Sequence, residues 1–399
     1  MNASAGRPRL ARGRHLLWRV NYALAACLVV AAGVARADPY LPDSDTVILA
    51  ELPAGAHYAD LAARRLARGR LDVALPLAQF YIQQSRLSGD LRFLGYADAV
   101  LAPWLAHRPA AVEALVLHAT VQQSRHEFDA ALATLELALG ARPDDPQASL
   151  TKATILRVLG RYPEATQACD QFARSVDASL AALCTQSVRG LDGHLDAAYA
   201  ALLQVSSQGW LNTEKSWLYS ELGEMAVRLG RDDEARRWFQ RDLDLVPGDV
   251  YVRTAYADLL LRQGDDAEAL ELLRGMESFE PLLLRIAIAQ QRLHDPALPQ
   301  SSARLRAAFS AELQRGEAVH RREQARFLLE VEHQPTLALE AARENWKVQR
   351  EPEDILVLVA AAQAAGNPDA AEPALEFVRR TGLVDARLTA ASTPSLVMR

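Results

Sequence analysis

Matching small residues recur along this chain at a step of 34. Ala119 returns as Ala153 and Gly223 as Ala257, and other landmarks keep that step: Phe128 to Tyr162, Ala131 to Ala165, Gly230 to Gly264, Ala235 to Ala269. A fixed period of this size marks an array of short helical units. Such a unit cannot bury its apolar face alone, so its neighbours must supply the core. This also lets about 360 residues fold without one oversized core.

The clearest unit runs from Val112 to Asp145. Its first helix sets Leu115, Ala119 and Gln122 on one face, at the i, i+4, i+7 spacing of a buried stripe. Its second helix starts near Phe128, turns Ala131, Leu135 and Ala138 inward, and stops before Pro143. The next unit repeats the plan with Ala153, a turn at Gly160, then Tyr162, Ala165 and Cys169. Two later units carry Tyr219, Leu222, Gly223, Gly230, Ala235, Phe239 and Pro247, then Tyr256, Ala257, Gly264, Ala269 and Leu273.

On these residues the chain resembles the tetratricopeptide repeat family, most strongly over 112–178 and 215–280. The first-helix tryptophan of that family is missing; Leu115, Ser149, Tyr219 and Arg253 stand there instead. The resemblance implies an all-α fold, a right-handed solenoid of stacked antiparallel helix pairs, over residues 57–385. Elsewhere the pattern weakens. Gly193, Leu195 and Ala198 fit a degenerate unit one residue out of step, and Gly366 and Ala371 keep the turn spacing. Near the start, either Leu71–Arg86 pairs with Leu91–Trp104 behind a cap at His57–Arg68, or one unit is irregular. The stretch 280–350 is helical but poorly periodic, with helices expected at Leu282–Leu293, Ser302–Arg315, His320–Val331 and Leu337–Val348. Residues 386–399 have no apolar period and read as a disordered tail.

The amino end has a different logic. Five arginines without an acid (Arg7, Arg9, Arg12, Arg14, Arg19) precede the apolar run Tyr22 to Val34 and the small-x-small triplet Ala35-Arg36-Ala37. That order is the layout of a secretory signal peptide over 1–37, followed by an extended lead-in over 38–56 where Pro39, Pro42 and Pro53 disfavour helix. Leu24-Ala25-Ala26-Cys27 offers a competing reading, a lipid anchor at Cys27. The apolar core before Cys27 is short, and the apolar run continues past it as Leu28, Val29 and Val30, which favours cleavage after Ala37, a product without membrane insertion, and a periplasmic or envelope location. Loss of 1–37 removes six basic residues and no acid, leaving 38 against 50, a net charge of −12. An acidic chain without a basic patch is a poor ligand for nucleic acid or anionic lipid. Two cysteines remain, Cys169 on a second helix and Cys184 on the first helix of the following unit. In an exported protein they suggest a disulfide, against the alternative of two buried thiols.

No pattern specific to catalysis, to a cofactor or to a metal emerges. Phosphate-cradling glycine loops, His-Glu-x-x-His helices and CxxC pairs are absent, and no enzyme activity is expected. His118 and His126 read as one packed and one turn histidine. Asp144-Asp145, Asp232-Asp233 and Asp265-Asp266 sit where helices begin, and capping explains them. The better candidate is the groove. In arrays resembling this one, first helices line a concave face. That places Thr120, Gln123, Gln147, Thr154 and Arg157 in one block, and Trp217, Ser220, Glu224, Arg228, Tyr251, Thr254, Asp258 and Arg262 in another. Aromatic, arginine and acidic groups side by side suit a protein or peptide segment. An exported interaction scaffold is the function expected; an accessory subunit of an envelope assembly or polysaccharide export machine is the alternative. The mass of the mature protein tests the amino end. A product starting at Asp38 without lipid is expected, and a lipidated product starting at Cys27 would replace that reading.

Overall fold

The computed structural model describes Ser44 and residues 61–88, 90–107, 109–205, 207, 209–314 and 320–391. Ser44 apart, the expected signal peptide and lead-in lie outside these residues. All described residues but Ser44 and Gln314 belong to one compact unit, Leu49–Leu313 with Glu317–Arg399, and only that unit is treated below. No helix among the described residues is long and apolar enough to cross a membrane.

The described residues form α-helices joined by short turns, without a strand. After α1 (Leu61–Ala67), helices α2 (Leu71–Ser88) and α3 (Arg92–Ala106) pair, so the first of the two early arrangements is the one adopted. The regular units follow: α4 (Val112–Ser124) with α5 (Phe128–Ala141), and α6 (Pro146–Val158) with α7 (Tyr162–Phe172). The degenerate unit is α8 (Ala178–Arg189) with α9 (Leu195–Leu202). Then come α10 (Asn212–Arg228) with α11 (Asp232–Leu245), and α12 (Val250–Gln263) with α13 (Asp266–Leu272). The periodic alanines are all buried, Ala119, Ala131, Ala165, Ala235, Ala257 and Ala269 completely. Their size sets how closely the rods approach. Of the acid pairs at unit boundaries, Asp145 caps α6 through the Ala148 backbone N–H at 2.9 Å, whereas Asp232-Asp233 and Asp265-Asp266 make no side-chain cap at α11 and α13; Asp249, outside those pairs, caps α12 through Val252 at 3.0 Å.

The turns need a left-handed residue. Gly160, Gly230, Gly264 and Gly366 supply it at φ near +70 to +82°. In the unit before Gly160 the equivalent position is His126, at φ 58°. Cys169 and Cys184 are joined, with Cα atoms 5.6 Å apart, and tie α7 to α8 across a separation of 15 residues. A loop that short contributes about 3 kcal/mol through the unfolded chain.

The aperiodic stretch is α14 (Glu280–Arg292), α15 (Leu298–Gln314), α16 (Arg321–Arg326) continued by a π-helical turn Phe327–Val331, and α17 (Pro335–Val348). Then follow α18 (Pro352–Ala364), the 3-10 turn Pro368–Ala371, α19 (Glu372–Thr381) and α20 (Ala386–Ala391). Thus the tail expected from residue 386 opens instead with a short helix, because Arg387 is anchored to Asp385 at 2.6 Å and Glu353 at 2.9 Å. The larger departure is where these helices go. Ala338, Ile355, Leu358 and Phe377 share one apolar core with Leu156, Tyr162, Phe172 and Val188 of α6–α8. Phe377 sits edge-on to Tyr162 at 5.9 Å, and the Arg350 amide donates to the Val158 carbonyl at 2.8 Å. A face that stacking would leave for a partner is covered by the chain's own later helices.

Two glycines separate packing from propensity. A methyl at Gly223 would lie 2.3 Å from the fully buried Phe239 ring, whereas one at Gly140 would meet nothing within 4 Å. Gly223→Ala is expected to cost about 1–3 kcal/mol by overpacking. Gly140→Ala is expected to stabilise by up to about 1 kcal/mol through helix propensity. Opposite shifts in the thermal midpoint check the pair.

Candidate functional site

The fold-back encloses a cleft of about 2300 Å³, bordered by residues from Gln79 to Arg387. First helices of the regular units and the later helices face each other across it. Ten of the thirteen groove candidates border this cleft: Thr120, Gln123, Gln147, Arg157, Glu224, Arg228, Tyr251, Thr254, Asp258 and Arg262. The other three do not. Thr154 and Trp217 border a small crevice beside the disulfide, and Ser220 is buried with its hydroxyl donating to the Trp217 carbonyl at 2.9 Å. Trp217 and Tyr251, equivalent in sequence, therefore part company. Trp217 packs against two apolar cores and borders a crevice formed by α6–α8, while Tyr251 is 57% exposed and faces the cleft.

The cleft wall carries nineteen charged side chains among its lining residues, and most of them are paired. Asp258 of α12 receives Arg285 of α14 on both carboxylate oxygens, at 2.8 and 3.1 Å, and Arg326 of α16 at 2.7 Å. Burial alone would raise this carboxyl; the two guanidiniums overcome that and hold it well below the usual carboxylate range. Arg322 reaches Glu351 at 3.0 Å, and Arg326 also holds Glu330 at 2.8 Å. Arg157 of α6 pairs with Glu221 of α10, and Arg262 with Asp232 at 2.7 Å. Glu323 is pressed upward by burial but brought down to about 2 by Arg322 and Arg285. Every cation of the wall is an arginine, apart from histidines. Arginine suits such positions, because its planar fork satisfies two acceptors at once.

Glu224 is the exception among the acids. The Tyr251 hydroxyl donates to it, but its carboxyl is raised to about 7, first by burial and then by the neighbouring Glu221 and Glu353. Gln79, Gln83 and Gln123 also line the cleft, as does Arg86, which pairs with no acid among the described residues.

His118 and His126 do not meet at a common site. His118 Nδ1 lies 2.9 Å from Asp98, and His126 Nδ1 accepts from the Gln349 amide at 2.8 Å. The sequence reading missed the wall contributed by α14, α16 and α18. One signal was present: Arg285 interrupts the run Leu282 to Ala289, otherwise wholly apolar and all buried. A charge inside such a run calls for a partner from elsewhere in the fold.

No family profile matches the chain, and no curated protein matches it. Among solved structures, a tetratricopeptide repeat protein from Parabacteroides merdae is similar at 13% identity, over 63% of this chain and 98% of that one, with a TM-score of 0.38. Human IFIT1, solved as a dimer with m7Gppp-AAAA, is similar at 13% identity over 80% and 83%, TM-score 0.40. Yeast Tom70 is similar at 12% identity over 83% and 94%, TM-score 0.36. Likeness at this level does not superpose the molecules, and the description of the fold as tetratricopeptide-like rests on this chain's own helix pairs.

The raised Glu224 carboxyl fixes the sign of a pH effect. Between the unfolded value of about 4.3 and the folded value of about 7, the native state binds more protons than the unfolded chain, so this group's contribution falls as pH rises. Glu224→Gln removes that dependence. The thermal midpoint of the variant relative to wild type is expected to climb from pH 5 to pH 8, and a flat difference would contradict the placement.

Proposed function

We propose that this protein is an exported interaction scaffold that holds a protein or peptide segment in the cleft. The observation that carries the reading is the cleft itself. Its volume of about 2300 Å³ exceeds the ~300–1000 Å³ typical of small-molecule sites. With its own charges paired within the wall, what is left for an occupant is Tyr251, the glutamine amides of Gln79, Gln83 and Gln123, and the Arg86 guanidinium. These are the groups that hydrogen-bond extended main chain and a carboxylate. Export rests on the positive, apolar and small-residue order of the amino end. The second reading, an accessory subunit of an envelope assembly or polysaccharide export machine, shares that amino end and differs in location. Recovery in a stable membrane-associated complex favours it, and free periplasmic protein favours the first.

A photoreactive phenylalanine analogue placed at Tyr251 tests the cleft against the outer surface, represented by Leu137 of α5, which is 66% exposed. Illumination in envelope extracts is expected to give a defined protein adduct from position 251 and none from position 137. Adducts from 137 alone, or none from 251, would overturn the cleft as the binding surface.

A further inference from the structure

We infer that Glu280, Glu312 and His320 form a binding site for a divalent transition-metal ion, best matched by Zn²⁺. The three come from separate segments: Glu280 is the first residue of α14, Glu312 lies in the last turn of α15, and His320 immediately precedes α16. Their donor atoms all lie within 4.8 Å of one another, and among the described residues no other three His, Cys, Asp or Glu donors converge in this way. His320 Nδ1 stands 3.4 Å from Glu280 Oε1 and 2.5 Å from Glu312 Oε1. Ligands about 2.1 Å from a tetrahedral zinc stand about 3.4 Å from one another. The His320–Glu280 pair already has that separation, and Glu312 needs to retreat by about 0.9 Å, the motion that exchanges a hydrogen bond for a shared ion.

The donor chemistry selects the ion. One imidazole with two carboxylates suits Zn²⁺ and its transition-metal neighbours better than Mg²⁺ or Ca²⁺, which take all-oxygen shells. Two carboxylates also balance the charge of a divalent cation. Access exists, since Glu280 and His320 both border the cleft. An ion there keeps a coordination position toward the cleft, for water or for a donor from an occupant. It would pin together the ends of three helices in the aperiodic part of the chain.

The test uses the full chain, stripped with a chelator and titrated with Co²⁺. One equivalent is expected to bind with the intense visible bands of tetrahedral cobalt, to be displaced by Zn²⁺, and to raise the thermal midpoint. The isosteric changes Glu280→Gln and Glu312→Gln are expected to weaken binding by at least about tenfold. His320→Asn should abolish the bands, and His126→Asn should leave them. Absence of saturable one-equivalent binding by the folded wild type overturns the site. So do weak octahedral bands, or affinity undiminished in the variants. Should His320→Asn fail to fold by circular dichroism, the two glutamine variants decide the matter.

Discussion

A pair of short helices has an apolar face that it cannot hide, and everything in this fold follows from how that face is covered. Along the regular units the answer is stacking. Ala119, Ala131, Ala235, Ala257 and Ala269 are fully buried because the next rod lies where a larger side chain would stand. Gly223 carries the principle to its limit, with the Phe239 ring occupying the space a β-carbon would need. An open array must end in units with a polar outer face. Here α17–α19 instead return to α6–α8 and bury Phe377 and Ile355 against Tyr162 and Leu156.

That return explains which parts of the molecule could be read in advance. The 34-residue step is a local signal, since each unit satisfies its spacing internally. The helix pairs and the glycine turns were therefore legible, and so was the pairing of Cys169 with Cys184, whose helices are consecutive; of the acid pairs only Asp145 makes the expected cap. The fold-back is not local. Gln349 meets His126 across 223 residues, and Arg350 meets Leu159 across 191. No periodicity encodes a contact between an early turn and a late one. The cleft was half legible for the same reason. The first-helix spacing placed Arg157, Tyr251 and Asp258 on one wall. The opposite wall comes from helices without a period, and Trp217 borders a crevice among α6–α8 instead of the cleft.

The charges on the two walls bear on specificity more than on stability. A buried ion pair returns little net free energy, because desolvation costs about as much as the attraction returns. Removing one partner is a different matter: Asp258 without Arg285 would keep one of its three guanidinium hydrogen bonds. The pairs therefore penalise every arrangement of α12, α14 and α16 except the one that satisfies all of them. An apolar surface alone would let the late helices slide along the early ones, since leucine against alanine is tolerant of register. Under the proposed function, the paired wall also limits what the cleft offers to an occupant. Such an occupant would gain little from guanidiniums that are already engaged, and its polar contacts would fall to the groups left over, among them Arg86 and the glutamine amides.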